Sequence, residues 1–164
     1  MKRSTTTAQE SARGNSPGWK CSKCGALITR IEDGWVEWLA CEDEGVTFTR
    51  GLRLVHRTPS DPQASCQYDL RQEFQRDRSL VEGLPLERFV GPDGLMFLLS
   101  LISSGDMQPD EIIELAKRVQ IPGYELAREQ FRTAIENGVL SPSIGEGFYL
   151  QSEIQSLLSW VTVV

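Results

Sequence analysis

Cys21-Ser22-Lys23-Cys24-Gly25 sets two thiols three positions apart and follows them with a glycine, the composition of a tight knuckle on which sulfurs and backbone N–H groups converge. The chemistry that suits such a knuckle is zinc binding. A closed structural site takes four ligands, of which the knuckle supplies two. His56, the single histidine, and Cys66 are the candidates for the remaining pair, and Cys41 is the rival to either. A redox C-x-x-C belongs at a helix N-terminus after a strand, a setting this stretch lacks. The expectation is therefore one structural Zn2+ held by Cys21, Cys24, His56 and Cys66.

Catalysis has little support in the rest of the chain. Nothing in the pattern orients His56 as a base for a cysteine nucleophile, and a zinc ion filled by four side chains leaves no position for water. No P-loop or dinucleotide-binding glycine pattern is present. The acidic runs Glu42-Asp43-Glu44 and Asp110-Glu111 read as a solvated turn and a helix start, and Trp35 and Trp38 as core residues of a small module. The expectation is a protein that is not an enzyme.

The elements that must position the four donors follow from the pattern around them. Ala26 to Ile31 and Trp35 to Ala40 read as strands joined by the turn Glu32-Asp33-Gly34, the second with both faces partly covered. Cys41 ends that strand, Glu42 to Gly45 turn, and Val46 to His56 returns as a third strand or a broken pair. Asp61-Pro62 combines an N-cap acceptor with a proline suited to the first helical position. From there Cys66, Leu70, Phe74, Leu80 and Val81 form the stripe of an amphipathic helix, with Cys66 near its first turn. Knuckle, hairpin and a helix that begins with a ligand resemble the zinc-ribbon and treble-clef type of zinc module over roughly Trp19 to Phe74, within a zinc-binding domain expected over residues 19 to 83.

Residues 84 to 93 carry two prolines and read as a linker. Beyond it, residues 94 to 164 give a helix over Gly94 to Ser104 that is apolar nearly all round, a second from Pro109, and a third from Tyr124 to Glu136. Val139-Leu140 and Phe148-Tyr149-Leu150 then flank the polar turn Ser141 to Gly147. Three helices and a hairpin resemble a winged helix. That resemblance implies DNA contacts through Arg128 and Arg132 on the third helix and through the turn, with Lys117 and Arg118 as further candidate nucleic-acid contacts. A last amphipathic helix, Ser152 to Trp160, either closes the core or meets a second copy to form a homodimer. The fold class expected is α+β.

Charge decides between partners. The net charge is −6. Residues 1 to 18 read as a disordered basic tail with no apolar periodicity. Lys2, Arg3, Arg13 and Lys20 stand against Glu10 in the first 20 residues, whereas residues 93 to 164 set four basic side chains against ten carboxylates. A polyanion is repelled by that second segment as a whole. A protein partner is therefore expected over direct DNA binding, within a nucleic-acid-handling or regulatory assembly. No apolar run reaches the roughly 18 residues that span a bilayer, so no membrane role is expected. With thiols serving a metal site and no apolar signal core at the start, cytoplasmic residence is the expectation.

Overall fold

A computed structural model describes residues 18–58, 65–145 and 147–163, so the basic tail and the Asp61-Pro62 helix start lie outside the described residues. The architecture is mixed α+β. Strands β1 (Trp19–Lys20) and β2 (Leu27–Ile28) form a two-stranded antiparallel hairpin, shorter than the strand expected over 26 to 31. Strands β3 (Gly34–Asp43), β4 (Val46–His56) and β5 (Leu80–Pro85) form an antiparallel sheet in the order β4-β3-β5. β3 is central, and Val36, Glu37, Trp38 and Leu39 are all buried, as a strand covered on both faces requires. It continues past Cys41 to Asp43. The hairpin to β4 turns through Glu44 and Gly45, both at positive φ (49° and 81°), the backbone that matches the twist of paired strands.

One irregularity matters for the site. Glu37 faces Arg53 while Leu39 faces Arg50, so Gly51 and Leu52 together oppose Trp38 in a β-bulge. Gly51 has φ +68°, and a Cβ there would lie 2.6 Å from the Tyr68 hydroxyl oxygen. The N–H groups of Gly51 and Leu52 donate to the Glu111 carboxylate, each at 3.2 Å. Gly51→Ala therefore combines a left-handed backbone with a steric conflict. It is expected to cost about 1 to 3 kcal/mol in urea denaturation, and an unchanged midpoint would refute the bulge as drawn.

Among the described residues, the helix expected from Asp61 through Val81 is corrected to α1, Leu70–Asp77. Asp69 caps it, its carboxylate accepting from the Gln72 N–H at 2.8 Å, and Arg78 ends it in the left-handed region at φ 64°. The stripe that suggested a longer helix does not face a core. Leu70 and Phe74 are exposed, and the side chain α1 buries is Glu73. Leu80 and Val81, read as its continuation, pair with Ala40 and Leu39 as the start of β5. Residues 84 to 93, read as a linker, hold the end of β5 and then the fully buried Leu86 and Phe89.

The remaining helices are α2 (Gly91–Ser104), α3 (Pro109–Gln120), α4 (Tyr124–Ala127), α5 (Phe131–Glu136) and α6 (Gln151–Val163). α2 is not buried all round: Leu98 is inside, but Leu95, Met96 and Leu99 are 42%, 66% and 50% exposed. The third helix expected over 124 to 136 is two short ones, because the Gln130 N–H turns back to the Ala127 carbonyl at 2.8 Å and tightens the chain between them. The break lets Phe131 stack on Tyr149, ring centroids 3.7 Å apart. Where a hairpin was expected, the described residues carry one isolated bridge, Gly145 to Phe148. An apolar cluster runs from Cys21 and Ile28 through the sheet to Leu98, Ile112 and Leu115, and a second gathers Tyr124, Phe131, Leu140, Ile154 and Leu157. α6 thus closes the second cluster. No helix among the described residues is long and apolar enough to cross a membrane.

Candidate metal centre

The knuckle is the loop between β1 and β2. Cys21 N–H donates to the Ala26 carbonyl and Gly25 N–H to the Cys21 carbonyl, each at 2.9 Å, with Gly25 at φ 74°. Its position on the sheet is set by Ser22 N–H, which donates to the Leu54 carbonyl of β4 at 2.8 Å. Two residues further β4 ends at His56, so the strand delivers the imidazole to the knuckle. Cys66 arrives on a segment without helix or strand that precedes α1. The donor atoms of Cys21, Cys24, His56 and Cys66 all lie within 4.8 Å of one another, a group that could hold a metal ion.

His56 is oriented for that role. Nδ1 lies 3.5 Å from Cys24 Sγ and 3.8 Å from Cys66 Sγ, and Nε2 lies 3.4 Å from the Leu27 carbonyl oxygen. A carbonyl can only accept, so the proton belongs on Nε2 and the Nδ1 lone pair faces the sulfurs. The thiols are unequal. Burial alone would raise Cys21, but N–H groups of Cys24 and Lys23 and the neighbouring His56 bring it down to about 6. Burial, then the nearby Cys24 and Cys21, pushes Cys66 up to about 12. The Cys66 thiol resists ionising beside its neighbours, and a divalent cation among the sulfurs would remove that repulsion.

Cys41 takes no part. It is buried at the far end of β3, where Arg50 Nε donates to its sulfur at 3.3 Å and Ser79 Oγ lies 3.2 Å away. Asp77 completes that cluster through Ser79 and Arg50. The Ser79 hydroxyl, with Ser79 N–H, Arg76 and Arg50, holds the Asp77 carboxyl down at about 2 from its ordinary 3.8. Its contribution to stability is present above the unfolded-chain value and is lost as pH falls through about 2. Asp77→Asn is expected to flatten the acid limb of unfolding between those values, followed by circular dichroism. Superimposable acid limbs would refute the assignment.

Among the candidate nucleic-acid contacts, Lys117, Arg128 and Arg132 line one groove with Tyr124 and Tyr149, of about 1130 Å³. Lys117 Nζ pairs with Glu114 at 2.8 Å and Arg128 Nη1 with the same carboxylate at 3.3 Å. Arg118 is set apart in the interior. Its Nε and Nη2 donate to the two Glu125 oxygens at 2.7 and 2.8 Å, and Nη2 also donates to the Lys20 carbonyl at 2.7 Å. Lys20 N–H in turn donates to Glu125 at 2.7 Å, tying the knuckle's first strand to α3 and α4.

Sequence reasoning passed over Glu37 and Arg53, which face each other across β3 and β4 beside the centre. Their signal was available: a carboxylate inside Trp35-Val36-Glu37-Trp38-Leu39 and a guanidinium inside Leu52-Arg53-Leu54-Val55 are charges where only apolar side chains are otherwise buried. Compared with protein-family models, curated proteins and solved structures, the chain matches none.

Proposed function

We propose that this chain is a non-enzymatic interaction protein, its N-terminal half held by one structural zinc ion bound through Cys21, Cys24, His56 and Cys66. The observation that carries the reading is the convergence of three thiols and one correctly oriented imidazole within 4.8 Å. Thiolate-rich sets of four with one imidazole suit zinc and give it a tetrahedral, closed shell. Zinc, when bound, supplies a cross-link between the knuckle, the end of β4 and the segment before α1. The protein works in the reducing environment of the cytoplasm, where free thiols persist.

Its partner is a protein within a nucleic-acid-handling or regulatory assembly. Three of the four basic residues that would contact DNA are already paired with Glu114 or Glu125, and the chain is acidic overall. Phosphate contacts dominate DNA affinity, so a groove in which Lys117 and Arg128 are already engaged by Glu114 supports protein binding. The exposed apolar side chains of α2 point the same way. Elemental analysis of the purified chain is expected to give one zinc per molecule. In mobility-shift titrations at low salt, duplex DNA is expected to stay free. A salt-dependent shift that vanishes with Arg128→Glu and Arg132→Glu would replace this reading with that of a DNA-binding regulator.

A further inference from the structure

We infer that Glu37 and Arg53 are positioning residues of the metal centre, holding Cys66 at ligating distance although neither touches the sulfurs. The inference rests on the metal reading above and goes beyond it by assigning what places the ligand least supported by regular structure. Cys21 and Cys24 sit in a hydrogen-bonded hairpin and His56 ends a strand. Cys66 has neither kind of support, since residues 65 to 69 form no helix or strand.

Ser65 and Gln67 meet Thr58, just past the end of β4, but the backbone around Cys66 is tied to the sheet by a charged pair. Arg53 Nη2 donates to the Cys66 carbonyl at 3.3 Å. Tyr68 N–H, two residues on, donates to the Glu37 carboxylate at 3.0 and 3.2 Å. The two clamps are one unit, because Arg53 Nε and Nη2 both donate to Glu37 Oε1, at 2.8 and 2.7 Å. The guanidinium lies 3.4 Å from the centre of the Tyr68 ring, and the Tyr68 hydroxyl donates to the Gly51 carbonyl at 3.1 Å. The bulge at Gly51 thus serves the same segment.

Packing does not account for the pair. Glu37 is 0% exposed, and burial pushes its carboxyl above the usual carboxylate range despite Arg53 and the Tyr68 N–H. A leucine there would pack without the desolvation cost of a carboxylate, and apolar replacements of buried ion pairs are often neutral or stabilising. The carboxylate and guanidinium do what apolar side chains cannot, which is to grip the backbone on both sides of Gln67. Groups that orient metal ligands from outside the coordination shell govern affinity by about 10- to 100-fold.

The test uses the full chain with Zn2+ and Co2+ as the added metals. Affinity is read by chelator competition, and the number of bound sulfurs by the thiolate-to-cobalt charge-transfer band. Glu37→Leu with Arg53→Met is expected to lower affinity by about 10- to 100-fold and to weaken that band. In a Cys66→Ser background the same two changes are expected to cost almost nothing further, since the ligand they position is already gone. Equal losses in both backgrounds would show an effect through the fold at large and overturn the inference. So would unchanged affinity in the double variant. If that variant does not fold, Arg53→Lys decides: a point charge beside Glu37 cannot also reach the Cys66 carbonyl, so a several-fold loss supports the assignment and wild-type affinity refutes it. A wild-type chain that takes up neither metal would instead sink the metal reading itself.

Discussion

Cys21→Ser is expected to abolish stoichiometric zinc binding and to lower the melting temperature by roughly 8 to 16 °C when compared with wild type in buffered free zinc. The estimate follows from linkage: a ligand at 1,000 times its Kd stabilises the folded state by about 4.1 kcal/mol, and each kcal/mol moves the midpoint by about 2 to 4 °C at this size. The loss stops short of global unfolding. Cys21 belongs to an apolar cluster that also contains Leu54, Leu86, Phe89, Leu98 and Ile112, and the pairing of β3 with β4 and β5 does not depend on the knuckle. Hydrogen exchange should therefore open first at residues 19 to 28 and at the end of β4, where Ser22 N–H and the Leu54 carbonyl hold the hairpin. Chelation of the wild-type chain should reproduce the shift. Cys41→Ser should not, because that sulfur sits with Arg50 and Ser79 outside the donor group. Equal shifts for the two serine variants, or zinc retained by Cys21→Ser, would contradict the placement.

The grouping of Cys21, Cys24, His56 and Cys66 was legible in the sequence because the chemistry is sparse there. A C-x-x-C-G knuckle restricts its own geometry, and a chain with one histidine and four cysteines leaves few ways to complete a tetrahedron. The sheet was legible where alternation was strong, in Trp35 to Ala40 and Val46 to His56. The segment between His56 and Leu86 was not. Leu70 and Phe74 have helical spacing but face solvent, so the pattern promised a buried stripe and a longer helix than the fold contains. β5 has a short apolar run that contains Glu82 and Gly83, and its identity comes from lying against β3 instead of from its own propensity. The third helix failed for a similar reason: no proline or glycine interrupts 124 to 136, and the break at 128 to 130 goes with a contact to a distant residue, Phe131 on Tyr149. Glu37, Arg53 and Arg118 belong to a different category. Glu37 and Arg53 stand out as charges inside apolar runs, but the backbone groups that they and Arg118 hold come from other elements, and local periodicity carries no trace of those partners.

Arg118→Leu is expected to destabilise the chain by about 3 to 5 kcal/mol, because it leaves Glu125 buried without its bidentate partner and with only Arg128, 3.7 Å away, as a cation. The pair is placed where geometry and desolvation compete most sharply. Both side chains are 6% exposed, so each ion has given up nearly all its water. Against that, the contact is bidentate at 2.7 and 2.8 Å, the guanidinium also donates to the Lys20 carbonyl, and Glu125 also accepts from the Lys20 N–H. With both ions satisfied the pair sits near balance. Removing one partner forfeits the attraction and keeps the other's desolvation cost, which is why the single change is severe. Arg118→Leu with Glu125→Leu is expected to recover most of the loss, although not all, since the backbone groups of Lys20 then lose their partners and β1 its tie to α3 and α4. Urea denaturation of the two single variants and the double variant measures this as a coupling energy. Additive losses would show that the two side chains act independently, and would leave the attachment of the knuckle to the helices without its proposed cause.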